Sequence, residues 1–295
     1  MLAHYSNEER LDMIAGVRKL YLDAMLRRFA QAPHTPGRKI YIDPALFDIP
    51  VPVGDRTTAV QDMSAALPGQ VFAVEGNEVR LFMQWGVGLP AQHLDMDLSC
   101  RLVKPDGTHY ECAYYSLTVA GAQHSGDIIN IPDMVGTAEY VNLDIDALDR
   151  EGVAYAVFTC NAYSSGNICP NLTVGWMDAR YPMKVSDETG VAYDPSTVSH
   201  QIRITESNLA KGLVFGLLDV AARKVIWLEM PFEGQRVANL DYSYIEVLLR
   251  RLRSKPSLGE ILALKADAQQ AVRTDSPEDA DISYTTPQQA LAEIR

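Results

Sequence analysis

The chain has 295 residues, 47% of them hydrophobic, enough for one large domain or two smaller ones with a real buried core. Its 38 acidic residues against 26 basic ones leave a net charge of -12, which argues against general nucleic-acid binding and favours cations or basic partners. No apolar run approaches the ~20 residues of a membrane-spanning helix, the first dozen residues lack the apolar core of a signal peptide, and the four cysteines (Cys100, Cys112, Cys160 and Cys169) form no C-x-x-C pair; the expectation is a reduced, cytoplasmic protein.

In chain order, Leu11, Ile14, Val17, Tyr21, Met25 and Phe29 recur at steps of three and four, predicting a helix over 7–30 with Asn7 as its cap. Residues 38–75 are broken by Pro44, Pro50, Pro52 and Pro68 and read as an edge strand or arm. From 76 to about 232 the period changes to two. Nine short segments rich in β-branched and aromatic residues, from "NEVRLFMQWGV" to "KVIWLEMPF", are separated by Gly, Pro, Asn or Asp. "KPDGTH" (104–109) and "SDETG" (186–190) are turn signals. Many alternating strands without intervening helices predict a mainly β protein, an antiparallel sandwich. Helices return at 244–252 and at 257–272, the second with Ser257 and Glu260 as a capping box, followed by a short strand and helix at the end. Three regions result: an N-terminal helical arm (1–35), a sandwich with an extended lead-in (36–235), and a C-terminal helical region (236–295).

Within "HLDMDLSC" (93–100), strand geometry puts Leu94, Met96 and Leu98 on one face and Asp95 and Asp97 on the other, the two aspartates' Cα atoms roughly 6.5 Å apart. Carboxylates at that spacing converge on a hard cation, although calcium needs six to eight oxygens and so further ligands from a loop. The competing interpretation is a solvated strand face. "NLDIDAL" offers a second such pair, Asp144 and Asp146, which the same alternation turns outward.

"HLDMDLSC" also resembles the D-L-D-L-S strand of the tellurium-resistance TerD family. Tyr114 and Tyr115 stand where that family has an aromatic strand, "GAQHSGD" (121–127) is similar to its G-A-x-H-S-G-D turn, and "AEYVNLDIDAL" and "VAYAVFTCNAYSSG" resemble its following strands, in order, over about 78–180. The resemblance implies a β-sandwich that binds calcium in loops at one end, with Asp95, Asp97 and Asp127 on motif aspartates. The family's loop continues to an acidic G-D-D-E. Here "GTAE" (136–139) keeps Glu139 but puts Thr137 and Ala138 in place of two aspartates, with Asp133 in the preceding "IINIPDMV". The implied calcium ligand set is Asp95, Asp97, Asp127, Asp133 and Glu139, with fewer charges than the family and therefore weaker binding or fewer ions.

No G-x-S-x-G elbow, H-E-x-x-H pair, Walker loop or G-x-G-x-x-G after a strand occurs, so no motif supports an enzyme. His124 is a poor zinc ligand among aspartates and reads better as a turn-fixing residue. Trp85, Trp176 and the strand cysteines read as core. Two functions lead, ahead of an enzyme with a non-standard site. One is a calcium-binding, non-catalytic module of a stress-response complex, in the cytoplasm or peripheral to a membrane. The other is a metal-free scaffold whose helices dock partner proteins or close a homo-oligomer.

Overall fold

The computed structural model describes residues 5–51, 68–90, 94–163, 168, 171–186, 188–204, 211–232, 237, 240 and 242–286. The chain divides into two compact units: Gly54–Tyr242, and Met1–Val53 together with Ser243–Arg295.

The first of these units is built from two six-stranded sheets. One has the order β13 (Val198–Ile204), β10 (Leu172–Asp178), β3 (Glu78–Trp85), β8 (Thr137–Asp144), β7 (Ala122–His124), β6 (Thr118–Val119). The other has the order β2 (Val71–Ala73), β15 (Lys224–Phe232), β14 (Gly212–Asp219), β9 (Tyr155–Ala162), β4 (Met96–Val103), β5 (His109–Cys112). Every pairing in both is antiparallel. The result is the expected sandwich-like, mainly β architecture, and the period-two segments are its strands.

Trp85, Phe158, Phe215 and Trp227 fill the interior with Leu81, Met83 and Leu98, while Trp176 and the thiols of Cys100, Cys112 and Cys160 are buried as well. Cys169 lies outside the described residues. The Asp106–Gly107 tip closes the β4–β5 hairpin. Gly107 adopts φ +86°, and Asp106 Oδ1 accepts from the Thr108 N–H at 2.9 Å. A small hairpin, β11 (Lys184–Ser186) with β12 (Gly190–Ala192), forms at the second turn signal.

β4 departs from simple alternation, because both of its faces are buried. Met96, Leu98, Cys100 and Leu102 belong to the core. On the opposite face the Arg101 guanidinium donates to the Leu240 carbonyl, so Val237 and Leu240 lie over that side. Asp97 therefore does not sit on a wet strand face.

The second aspartate pair turns outward as expected, Asp144 half-buried and Asp146 exposed beside buried Leu143 and Ile145, but the strand does not continue through it. β8 ends at Asp144, whose carboxylate caps a short helix, α2 (Ile145–Arg150), by accepting from the Ala147 N–H at 3.0 Å and from Asn77 Nδ2 at 2.8 Å. Asp146 lies in the first turn of that helix and pairs with Arg223. Tyr114 and Tyr115 occupy a turn closed by a bridge of Ala113 with Ser116, rather than a strand.

In the other unit, α1 (Asn7–Gln31) is capped by Ser6, one residue earlier than expected, with Glu9 completing a capping box. β1 (Lys39–Ile42) is not an edge strand. It is the centre of a three-stranded parallel sheet between β16 (Val272–Thr274) and β17 (Ile282–Tyr284). Pro44 starts a 3-10 turn after it, which the fixed proline φ suits. α3 (Tyr242–Ser254) and α4 (Leu258–Ala268) follow the expected pattern, α4 with the Ser257–Glu260 capping box. The helix expected at the end of the chain lies outside the described residues. Among the described residues no helix is long and apolar enough to cross a membrane.

Candidate metal centre

Asp95, Asp97 and Asp127 converge. One carboxylate oxygen from each lies within 4.8 Å of the other two, with Asp97 buried, Asp95 half-buried and Asp127 exposed. Two segments remote in sequence deliver them, the entry of β4 and the loop between β7 and β8.

Backbone hydrogen bonds set the first segment. The Trp85 indole N–H donates to the Leu94 carbonyl at 2.7 Å, and the Tyr163 N–H donates to the Asp95 carbonyl at 3.0 Å. Asp97 lies directly opposite Asn161 of β9, whose Nδ2 donates to Asp97 Oδ2 at 3.4 Å.

A buried pair, His124 and Glu139, sets the second segment and joins it to the first. The His124 Nδ1 accepts from the Gly126 N–H at 3.0 Å, so the ring proton is on Nε2, which donates to the Leu98 carbonyl at 3.0 Å. Glu139 Oε2 accepts from the Leu98 N–H at 2.9 Å, and Oε1 accepts from the Ile128 N–H at 3.2 Å. The two side chains are 3.6 Å apart and fully buried.

These bonds have a clear logic. β5 pairs with β4 only from Cys100 to Val103, so the Leu98 N–H and carbonyl have no strand partner on that side. His124 and Glu139 take its place and satisfy both groups, which would otherwise be costly to bury. The same two side chains accept from the N–H groups of Gly126 and Ile128, the residues on either side of Asp127. One buried pair thus fixes Asp127 and the strand that carries Asp97.

Of the five sequence-derived candidates, three meet. Glu139 stands next to the cluster but directs both oxygens at backbone amides. Asp133 is exposed, in the turn before β8, and is not part of the cluster. Thr137 and Ala138, which stand where the TerD pattern has aspartates, are buried strand residues opposite Trp85 and Gln84. Both His124 nitrogens are engaged, in keeping with a turn-fixing role. Sequence reasoning missed Asn161; an asparagine inside a strand of otherwise apolar residues was the available signal.

The electrostatics are those of crowded acids. Burial, then the neighbouring carboxylates Glu139, Asp95 and Asp127, push the Asp97 carboxyl up to about 8, with the Asn161 hydrogen bond opposing them. Asp95 is raised by burial and then by Asp127. Glu139 is raised by burial, against the lowering effect of His124 and the two amides. A group of carboxylates held this way either keeps protons or takes a cation.

Three carboxylate oxygens form a hard donor set, suited to calcium, magnesium or manganese and not to soft metals. Oxygens on opposite sides of calcium, at 2.3–2.6 Å each, are about 4.6–5.2 Å apart, whereas magnesium draws them to about 4.0–4.2 Å. The three oxygens here, within 4.8 Å of one another, can be bridged by either ion. The exposed Asp127 leaves the cluster open to solvent. No protein-family model and no curated protein matches this sequence.

Proposed function

We propose that this chain is a TerD-like calcium-binding module without chemistry of its own, serving a cytoplasmic stress-response complex of the tellurium-resistance type. The observation that carries this reading is the convergence of Asp95, Asp97 and Asp127 from two separate segments. Their crowding, with Asp97 almost wholly buried, gives a divalent cation a charge deficit to fill. The family resemblance over 78–180 supplies the functional context, and the net charge of -12 favours cations over nucleic acid.

One ion fits better than two. The positions of the two missing acidic residues are held by Thr137 and Ala138 inside a strand, and Glu139 serves the backbone. The same substitutions favour the second reading, a metal-free scaffold of the same fold.

Calorimetric titration of chelator-stripped protein separates the two. The calcium reading expects one site per chain, weaker binding of magnesium, and loss of the calcium heat in Asp97→Asn. An absence of calcium binding at millimolar ion leaves the scaffold.

A further inference from the structure

α1 carries two different apolar faces. Arg18, Leu22, Met25 and Phe29 form the half-buried one, on the side where the Arg18 guanidinium meets Glu260 of α4 at 2.5 Å and the Phe29 carbonyl accepts from Gln269. Well over a quarter-turn away, Met13, Val17, Leu20 and Ala24 form a second row that is exposed, with Val17 at 67% and Leu20 at 69%. Ile14 and Tyr21 lie between the two faces and are also exposed. They open onto a 580 Å³ apolar groove completed by Val51 and Pro256. A contiguous apolar surface of this kind marks an interaction site.

The spacing identifies the partner as a helix. Steps of four, three and four match the a/d seam of a coiled coil, the kind of row that packs against another helix. We propose that α1 is a homodimer interface, in which this seam packs antiparallel on the same seam of a second copy about a twofold axis.

Two features favour the self-pairing. In the antiparallel register Val17 meets Leu20 of the copy and Met13 meets Ala24, so each layer joins a larger side chain to a smaller one; a parallel pair would set Met13 on Met13 and Ala24 on Ala24. Ile14 then comes within about 3 Å, along the axis, of the level of Tyr21 of the copy at the mouth of the groove. Charge agrees. Glu8 and Glu9 lie in the first turn and Arg27 and Arg28 near the last, so the antiparallel arrangement brings acidic ends to basic ends, and the helix dipoles oppose. Gly16 supports a close approach, since a Cβ there would meet nothing within 4 Å in its own chain, yet glycine weakens a helix interior by about 1 kcal/mol. Among the described residues no contact explains it.

The test is sedimentation equilibrium on the full chain at tens of micromolar. Wild type is expected at twice the chain mass, and Leu20→Asp and Val17→Asp each at the single mass with an unchanged far-UV spectrum. Mixing a Met13→Cys chain with an Ala24→Cys chain under mild oxidation is expected to yield the mixed crosslink in preference to either self-crosslink. A monomeric wild type overturns the proposal, and one that also pelleted with anionic vesicles would reassign the face to a lipid surface. A dimer indifferent to Leu20→Asp, or self-crosslinks in preference to the mixed one, overturns it equally.

Discussion

Replacing Asp97 by asparagine should stabilise the cation-free sandwich, and increasingly so as pH rises. The carboxyl titrates near 3.8 in an unfolded chain and at about 8 in the fold. Between those values the folded state keeps a proton that the unfolded state has released, so wild-type stability falls as pH rises from 3.8 through 8. At about 1.4 kcal/mol per unit, moving from about pH 5 to about pH 8 removes roughly 4 kcal/mol, allowing for half-titration at the upper end. The variant has no such carboxyl. Asp95 and Glu139 are present in both proteins, so the difference between the two curves reports Asp97. For a unit of this size a kilocalorie moves the transition by about 2–4 °C, so the gap in melting temperature should widen by about 8–16 °C. Thermal melts of both proteins in chelator, stepped from about pH 5 to about pH 8, measure it. Millimolar calcium should then raise wild type and leave the variant where it was. A gap that stays constant across pH would refute the argument, because it would mean that Asp97 is solvated and its neighbours do not crowd it.

Three further outcomes are expected. Glu139→Gln presents an amide N–H to one of two backbone donors, Leu98 or Ile128, and should cost about 1–3 kcal/mol in chemical denaturation whether or not calcium is present; a loss confined to calcium-loaded protein would instead make Glu139 a ligand. His200 is buried, stacked on Phe72 with its Nε2 without a hydrogen bond, and burial lowers it from 6.5 to about 4. Its contribution is complete above pH 6.5 and is lost as pH falls through 4, about 3 kcal/mol in all, so His200→Phe should flatten the acid side of the stability curve relative to wild type. Gly136 has φ +75°, and a Cβ there would lie 2.3 Å from the Trp85 carbonyl oxygen and 2.7 Å from the Val87 nitrogen; Gly136→Ala should destabilise by about 2 kcal/mol or more, and an unchanged denaturation midpoint would contradict that crowding.

What was legible in the sequence was what short-range pattern encodes. The alternation of "NEVRLFMQWGV" and "VAYAVFTCNAYS" marked β3 and β9, Asp106–Gly107 marked a hairpin, and Ser257 with Glu260 marked the start of α4. Failures came where the decisive partner is remote or where two local signals compete. β1 is a central strand only because residues 272–274 and 282–284 flank it, and nothing near Lys39 announces them. "NLDIDAL" alternates like a strand, but Asp144 satisfies a helix terminus and the strand stops there. At the candidate centre, the three aspartates were visible as residue types in a resembling motif. The role of Glu139 was not, because it depends on β5 ending at Cys112 and leaving Leu98 with no strand on the side away from β9.

The parallel sheet that joins the two ends of the chain has a consequence for biosynthesis. Lys39 finds its neighbour Val272 only after roughly 230 more residues have left the ribosome, a wait of about 10–50 s at ordinary elongation rates. Throughout that interval the sandwich is free to fold as each hairpin emerges, while Ile40 and its neighbours have nothing to pair with. The nascent chain therefore carries an orphan β segment until residue 272 emerges, and a stop codon anywhere before that residue leaves it permanently so.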